Sequence, residues 1–241
     1  MTLLVTTSWD DGAPTDARLA EHLARFGLKA TFYVPTKNAE GRAVMSRAAL
    51  ADLASGFEIG GHAADHVPLT RFSGEALRAQ ISDNRDRLGD ILGQRPRGFC
   101  YVQGRFNAEV RRTVAACGYA YARTTRNLQV RTGADPFRMP TTLQFFPHAR
   151  SVYLRNFLRQ GGTGSARLLR RVLGARTLSG RVLASFEMAL AEGGCFHLWG
   201  HSWELAEHGL WSELDVVLRE IGGAGEAVRF VDNAGAAGLA P

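Results

Sequence analysis

Four short stretches hold the residue types that carry out hydrolysis. Asp10 and Asp11 stand together in "TTSWDDG", His62 and His66 lie four apart in "GGHAADH", Gln103 opens "QGRFN", and His201 closes "LWGH". A His-x-x-x-His pair holds one divalent cation if the chain coils enough to bring both rings to one side. A carboxylate beside the pair makes a set of two nitrogens and one oxygen, with a coordination position left open. A further carboxylate, free of the cation, is then available to move protons. The same donors also suit the iron facial triad of an oxygenase, but that chemistry does not require the second aspartate.

These residues act together only if the fold brings them together. LLVTTS (3–8), KATFYV (29–34), FEIGG (57–61), GFCYV (98–102), YAYART (119–124), MPTTLQF (139–145), CFHLWGHS (195–202) and AVRFVD (227–232) read as strands. Between them, Thr15, Ser46, Ser73 and Asn107 each precede a stretch with helical apolar spacing, and further helices are expected over 180–192 and 211–221. Alternating strands and helices predict a parallel sheet, and this many units favour a closed or nearly closed α/β barrel of one domain over 1–241. In such barrels the chemistry gathers at the C-terminal strand ends, and every stretch named above falls at one. Along the last of them, His197, Trp199 and His201 share a face; His197 reads as a buried structural histidine.

The sequence resembles the polysaccharide deacetylases, the NodB-homology or carbohydrate esterase family 4 fold. "SWDDG" is similar to the first family motif, "HAADH" to the second, "FCYVQGRFN" to a weakened third and "GHS" to the late Leu-x-His motif. The resemblance implies a distorted (β/α)7 barrel and one divalent cation bound by Asp11, His62 and His66. Zinc is the default metal, with cobalt, nickel, iron and manganese as alternatives. It also implies Asp10 as general base, His201 as general acid, and the backbone N–H of Gln103 as a donor to the oxyanion. Gly12 permits the turn that aims both aspartates inward.

Two departures stand out. Cys100 replaces the arginine that the family uses to orient its base, and the acidic, tryptophan-bearing fourth motif has no counterpart. Arg105, Arg123 and Arg138 are the candidates to restore the lost cation, with Arg123 first because it ends a strand. Trp9, Phe106, Trp199 and Trp203, with Arg105 and Arg138, are candidate substrate contacts.

All but Lys29 and Lys37 of the 29 basic residues are arginine, and the formal net charge is +6. Between Asp135 and Glu187 no acid occurs, while nine arginines do. Within that window, 148–181 reads as an Arg-rich helical insertion whose alternation of arginine with aliphatic residues suits an anionic membrane surface or phosphate groups. Nucleic acid is not expected, because no binding module appears. With no apolar leader or membrane span, the chain is expected in the cytoplasm, at the inner face of the membrane if the arginine segment docks there.

The function implied is removal of an N-acyl group, acetyl or formyl, from an amino sugar. A nucleotide-linked or lipid-phosphate-linked precursor of a glycan is the preferred substrate. Hydrolysis of a cyclic amide or ureide on the same fold, and a glycan-binding pseudoenzyme, are the alternatives.

Overall fold

The computed structural model describes residues 2–162 and 164–240. Among these residues eight strands form one sheet: β1 (Leu3–Asp10), β2 (Ala30–Val34), β3 (Glu58–Gly61), β4 (Gly98–Cys100), β5 (Tyr121–Arg123), β6 (Leu143–Gln144), β7 (Cys195–Gly200) and β8 (Val228–Phe230). Every pairing is parallel, in the order β5-β4-β3-β2-β1-β7-β6. β8 runs beside the start of β1, Leu3–Val5, and β2 beside its end, Thr7–Asp10. Met139 bridges to Arg123 of β5, and the Thr142 N–H donates to His197 O of β7. The 139–144 segment thus joins the two edges, and the sheet curls into the expected distorted (β/α)7 barrel.

Among the described residues ten helices surround it: α1 (Asp16–Arg25), α2 (Arg47–Ala54), α3 (Gly74–Leu92), α4 (Ala108–Ala116), α5 (Arg150–Arg159), α6 (Ala166–Gly174), α7 (Leu178–Glu192), α8 (Ser202–Glu207), α9 (Trp211–Gly222) and α10 (Asn233–Ala236). Ser46 Oγ and Asn107 Oδ1 accept from the third residue beyond them, as N-caps do. Gly93, at φ 71°, ends α3. Thr15 precedes α1 as expected, but its hydroxyl bonds Ser202 Oγ at 2.7 Å rather than capping the helix.

Strand alternation sorts the side chains into two sets. Facing the helices are Leu3, Val5, Trp9, Phe32, Val34, Phe196 and Leu198, which join Leu19, Leu23, Leu214 and Leu218 in the main core. Facing the barrel axis are Thr6, Ser8 and Asp10 of β1, Tyr33 of β2, Glu58 of β3, Cys100 of β4, Tyr121 and Arg123 of β5, and His197 and Trp199 of β7. Gly60 and Gly98 leave room inside: a Cβ on either would fall 2.2–2.4 Å from the Tyr33 or Tyr121 ring.

This alternation corrects one expectation. Trp9 cannot meet substrate, because its neighbour Asp10 points inward and Trp9 therefore points outward, fully buried, with its indole N–H on Thr7 Oγ1. The arginine-rich segment also differs from an interfacial helix over much of its length. Leu168, Leu169 and Val172 of α6 are buried in the main core, where each such side chain contributes about 1.5–3 kcal/mol. Arg181 is itself nearly buried, donating to His148 O at 2.6 Å and lying over the Tyr153 ring.

Candidate active site

The two neighbouring aspartates pose a geometric problem, since consecutive residues of a strand face opposite sides. Asp11 solves it by leaving the extended conformation: its φ is 81°, and Gly12 follows at 60°. A Cβ on Gly12 would meet Val34 Cγ1 at 2.7 Å, so the glycine is needed for space as well as for angle. Both carboxylates consequently face one cavity of about 430 Å³ at the C-terminal end of the barrel.

His62 and His66 are not on a helical turn. The chain between them is irregular, with Ala63 at φ 63° and His66 at φ 54°, and it brings the two ring centroids to 5.0 Å. His66 Nε2 lies 2.9 Å and His62 Nε2 3.6 Å from Asp11 Oδ1. His62 Nδ1 bonds Cys100 O at 2.8 Å, so it carries the ring proton and leaves the Nε2 lone pair facing Asp11. The His62 N–H donates to buried Asn84, which fixes the backbone.

One ligand atom from each of Asp11, His62 and His66 lies within 4.8 Å of the others, and all three residues are buried. Asp11 Oδ2 accepts from Trp203 Nε1 at 2.8 Å, whereas buried Oδ1 has no hydrogen-bond partner among the described residues. An unpartnered carboxylate oxygen facing two imidazole nitrogens is the arrangement a divalent cation completes, so the residues present fit one. Burial alone would raise the Asp11 pKa, but the His62 and His66 imidazoles beside it and the charge on His201 hold it well below the usual carboxylate range. For His66, burial works against the charged ring, and the Asp11 carboxylate beside it overcomes that and raises the pKa. A cation held by these residues would take the place of that proton.

Asp10 has a different neighbourhood. Arg123, the end of β5, is wholly buried and donates Nη2 to Asp10 Oδ1, while the Cys100 thiol lies 3.7 Å from Oδ2. The guanidinium packs 4.7 Å over Trp199 and 5.4 Å from the Tyr33 ring, and its Nε and Nη1 lack partners among the described residues. The sequence-ranked candidate therefore lies where a cation was missing. Its charge is locked on: burial opposes it, but Asp10 raises its pKa beyond the ordinary arginine value.

His201 faces the same cavity, with Nδ1 bonded to Glu204 Oε2 at 2.8 Å. Burial would lower its pKa, yet the Glu204 hydrogen bond and the charges of Asp11 and Asp10 push it up to about 9. Glu204 also accepts from Gln144 Nε2, and Gln144 Oε1 meets His148 Nε2 at 2.9 Å, so a polar chain runs along one wall. His197 is structural: its Nδ1 and Nε2 bond Pro140 O and Ser8 Oγ, and burial drives its pKa down to about 3.

Gln103, at φ 54°, lines the cavity with Trp199 and Trp203, and Arg42 stacks 3.4 Å over the Trp203 ring. Besides Trp9, three expected contacts do not line it. Phe106 stacks on Tyr101 with centroids 4.5 Å apart, because the chain turns away after Gln103. Arg105 and Arg138 are exposed outside the cavity. Sequence reasoning missed Glu204, Gln144, His148, Tyr153 and Asn156, all of which line it. Glu204 was readable as a carboxylate three residues past His201 at a helix start; the others arrive through β6 and α5.

Residues 3–122 match the family model described as polysaccharide deacetylase. This chain belongs to the polysaccharide deacetylase family. No sequence match emerges among curated proteins. Three solved structures share the fold of this family member. A polysaccharide deacetylase-like protein from Mycobacterium smegmatis superposes with a TM-score of 0.68 at 15% identity, covering 100% of this chain and 93% of its own. The chitin deacetylase of Colletotrichum lindemuthianum gives 0.64 at 17%, covering 100% and 92%. The family 4 acetyl xylan esterase of Clostridium thermocellum, in complex with a cobalt ion, gives 0.62 at 17%, covering 98% and 93%.

Proposed function

We propose that the protein is a metal-dependent N-deacylase that hydrolyses the acetamide or formamide of an amino sugar, carried on a nucleotide or a lipid phosphate. The observation that carries this reading is the buried Asp11–His62–His66 cluster with its unpartnered Asp11 oxygen, beside a second carboxylate paired to Arg123. A divalent cation held by these three residues supplies Lewis acidity toward the acyl carbonyl and lowers the pKa of a water. Zinc suits the two-nitrogen, one-oxygen set, and the cobalt ion in the acetyl xylan esterase of this fold supports a site tolerant of neighbouring metals.

The remaining roles belong to the chain itself. Asp10, kept from the cation and held by Arg123, accepts the proton of the attacking water. The Gln103 backbone N–H donates to the oxygen that develops negative charge. His201 enters protonated, because Glu204 sustains its charge, and gives its proton to the leaving amine nitrogen as the C–N bond breaks. Trp203 orients Asp11, and Trp199 is positioned to pack against the sugar. Cys100 is the feature that favours a pseudoenzyme, and Arg123 beside Asp10 answers it, since the cation comes from the next strand instead.

The test is acetate or formate release from N-acylated nucleotide sugars and lipid-phosphate-linked amino sugars, before and after chelation. Release that chelation stops and zinc or cobalt restores is the expected result. Turnover of a cyclic amide or ureide alone would assign the site to that chemistry instead.

A further inference from the structure

Helix α5 has one face on the cavity and its opposite face bare. Tyr153 and Asn156 line the cavity, and Phe157 packs against the core. On the far side, helical spacing sets Arg150, Leu154 and Leu158 in one row and Ser151, Arg155 and Arg159 in the next, and all six are exposed. Leu154 and Leu158 are 46% and 65% accessible; the other large exposed apolar side chain among the described residues is Val216, on α9.

The charges on this face are also unpaired. Arg167 and Arg171 of α6 meet Glu192 and Glu187, but Arg150, Arg155 and Arg159 form no ion pair among the described residues. An ordinary solvated helix places acids three or four residues from its arginines. Here those positions within α5 hold Ser151, Val152, Tyr153, Leu154, Asn156, Leu158 or another arginine, in a window from 136 to 186 that contains no acid.

We infer that the outer face of α5 docks on an anionic membrane surface, with Leu154 and Leu158 entering the headgroup layer and Arg150, Arg155 and Arg159 meeting lipid phosphates. A two-leucine patch is small for a stable protein interface, whereas a lipid surface needs only shallow apolar insertion together with cations. Because the same helix walls the cavity, docking keeps the site within one helix diameter, ~10 Å, of the headgroups. Resting on the deacylase reading, this selects the lipid-phosphate-linked amino sugar over the nucleotide-linked one.

Cosedimentation of the full chain with phosphatidylcholine vesicles, with and without about 30% phosphatidylglycerol, tests the inference. Binding is expected only to the anionic vesicles, and it should weaken as salt rises. Leu154→Ser/Leu158→Ser and, separately, Arg155→Gln/Arg159→Gln should each weaken it at least about tenfold. Arg78→Gln/Arg87→Gln on α3, with the same charge change, should leave it intact. Thermal unfolding and release of acetate from a water-soluble N-acetylated amino sugar should be unchanged in all three variants. Absence of vesicle binding, equal binding to neutral vesicles, an equal loss in the α3 variant, or capture of α5 by a protein without lipid would overturn the docking. Vesicle binding without any hydrolysis would instead sink the deacylase reading alone.

Discussion

The barrel interior contains two buried polar clusters, and they are built on opposite principles. Deeper in the barrel, away from the C-terminal strand ends, half-buried Glu58 accepts from Thr31 Oγ1, Tyr121 OH and the Ala234 N–H, Asn233 reaches the Tyr33 hydroxyl, and Thr6 donates to Asn233. None of their side-chain polar atoms is among the buried ones lacking a partner. At the C-terminal strand ends, by contrast, Asp11 Oδ1, His66 Nδ1, Arg123 Nε and Nη1 and Trp199 Nε1 are all buried without one among the described residues. A satisfied network rigidifies a core, whereas unpaired buried groups cost about 1–3 kcal/mol each and persist where a ligand completes them. The difference separates scaffold from site within a single sheet. The left-handed backbone of Asp11, His66 and Gln103 gathers at the same end, where strain commonly serves function.

Substitutions at the two ends should break in different ways. Asp10→Asn should reduce deacylation by about 10²–10⁴-fold in a steady-state assay while leaving bound cation unchanged in elemental analysis. Arg123→Met strands the Asp10 carboxylate without its partner. It should cost about 3–5 kcal/mol in denaturant unfolding as well as activity, an outcome a surface arginine would not give.

The deep cluster should affect stability but not chemistry. Burial dominates Glu58 and lifts its pKa from 4.5 to about 7, against the hydrogen bond from Thr31. Between those values the unfolded chain ionises first, so the folded state holds more protons and stability falls as pH rises. Relative to Glu58→Gln, the wild type should lose about 3 kcal/mol between pH 4.5 and 7, with turnover equal in the two proteins. The mildest change is Glu204→Gln. It removes the negative charge at the hydrogen bond that helps keep His201 protonated up to about pH 9, so the alkaline limb of the rate profile should move to lower pH.

The residues that would grip a cation were legible because each lies in a short segment at a predicted strand end, and the barrel needs only those ends to converge. Arg123 was legible for the same reason. Trp9 was misplaced although period two was available to place it, since a residue beside an inward Asp10 must face out. Tyr153, Asn156 and His148 were not legible, because nothing local says that α5 folds back over the cavity. In α6 the interleaving of arginine and leucine described a half-buried helix as well as an interfacial one, and only packing decided between them.

The central claim is that Asp11, His62 and His66 form one divalent-cation site from which Asp10 stands apart. Zinc binding to the demetallated protein, followed by calorimetry, tests it most directly. The account predicts one zinc per chain in the wild type and in Asp10→Asn, and none bound tightly in Asp11→Ala, His62→Ala or His66→Ala. Undiminished binding in His66→Ala, or loss of binding in a folded Asp10→Asn, would contradict it.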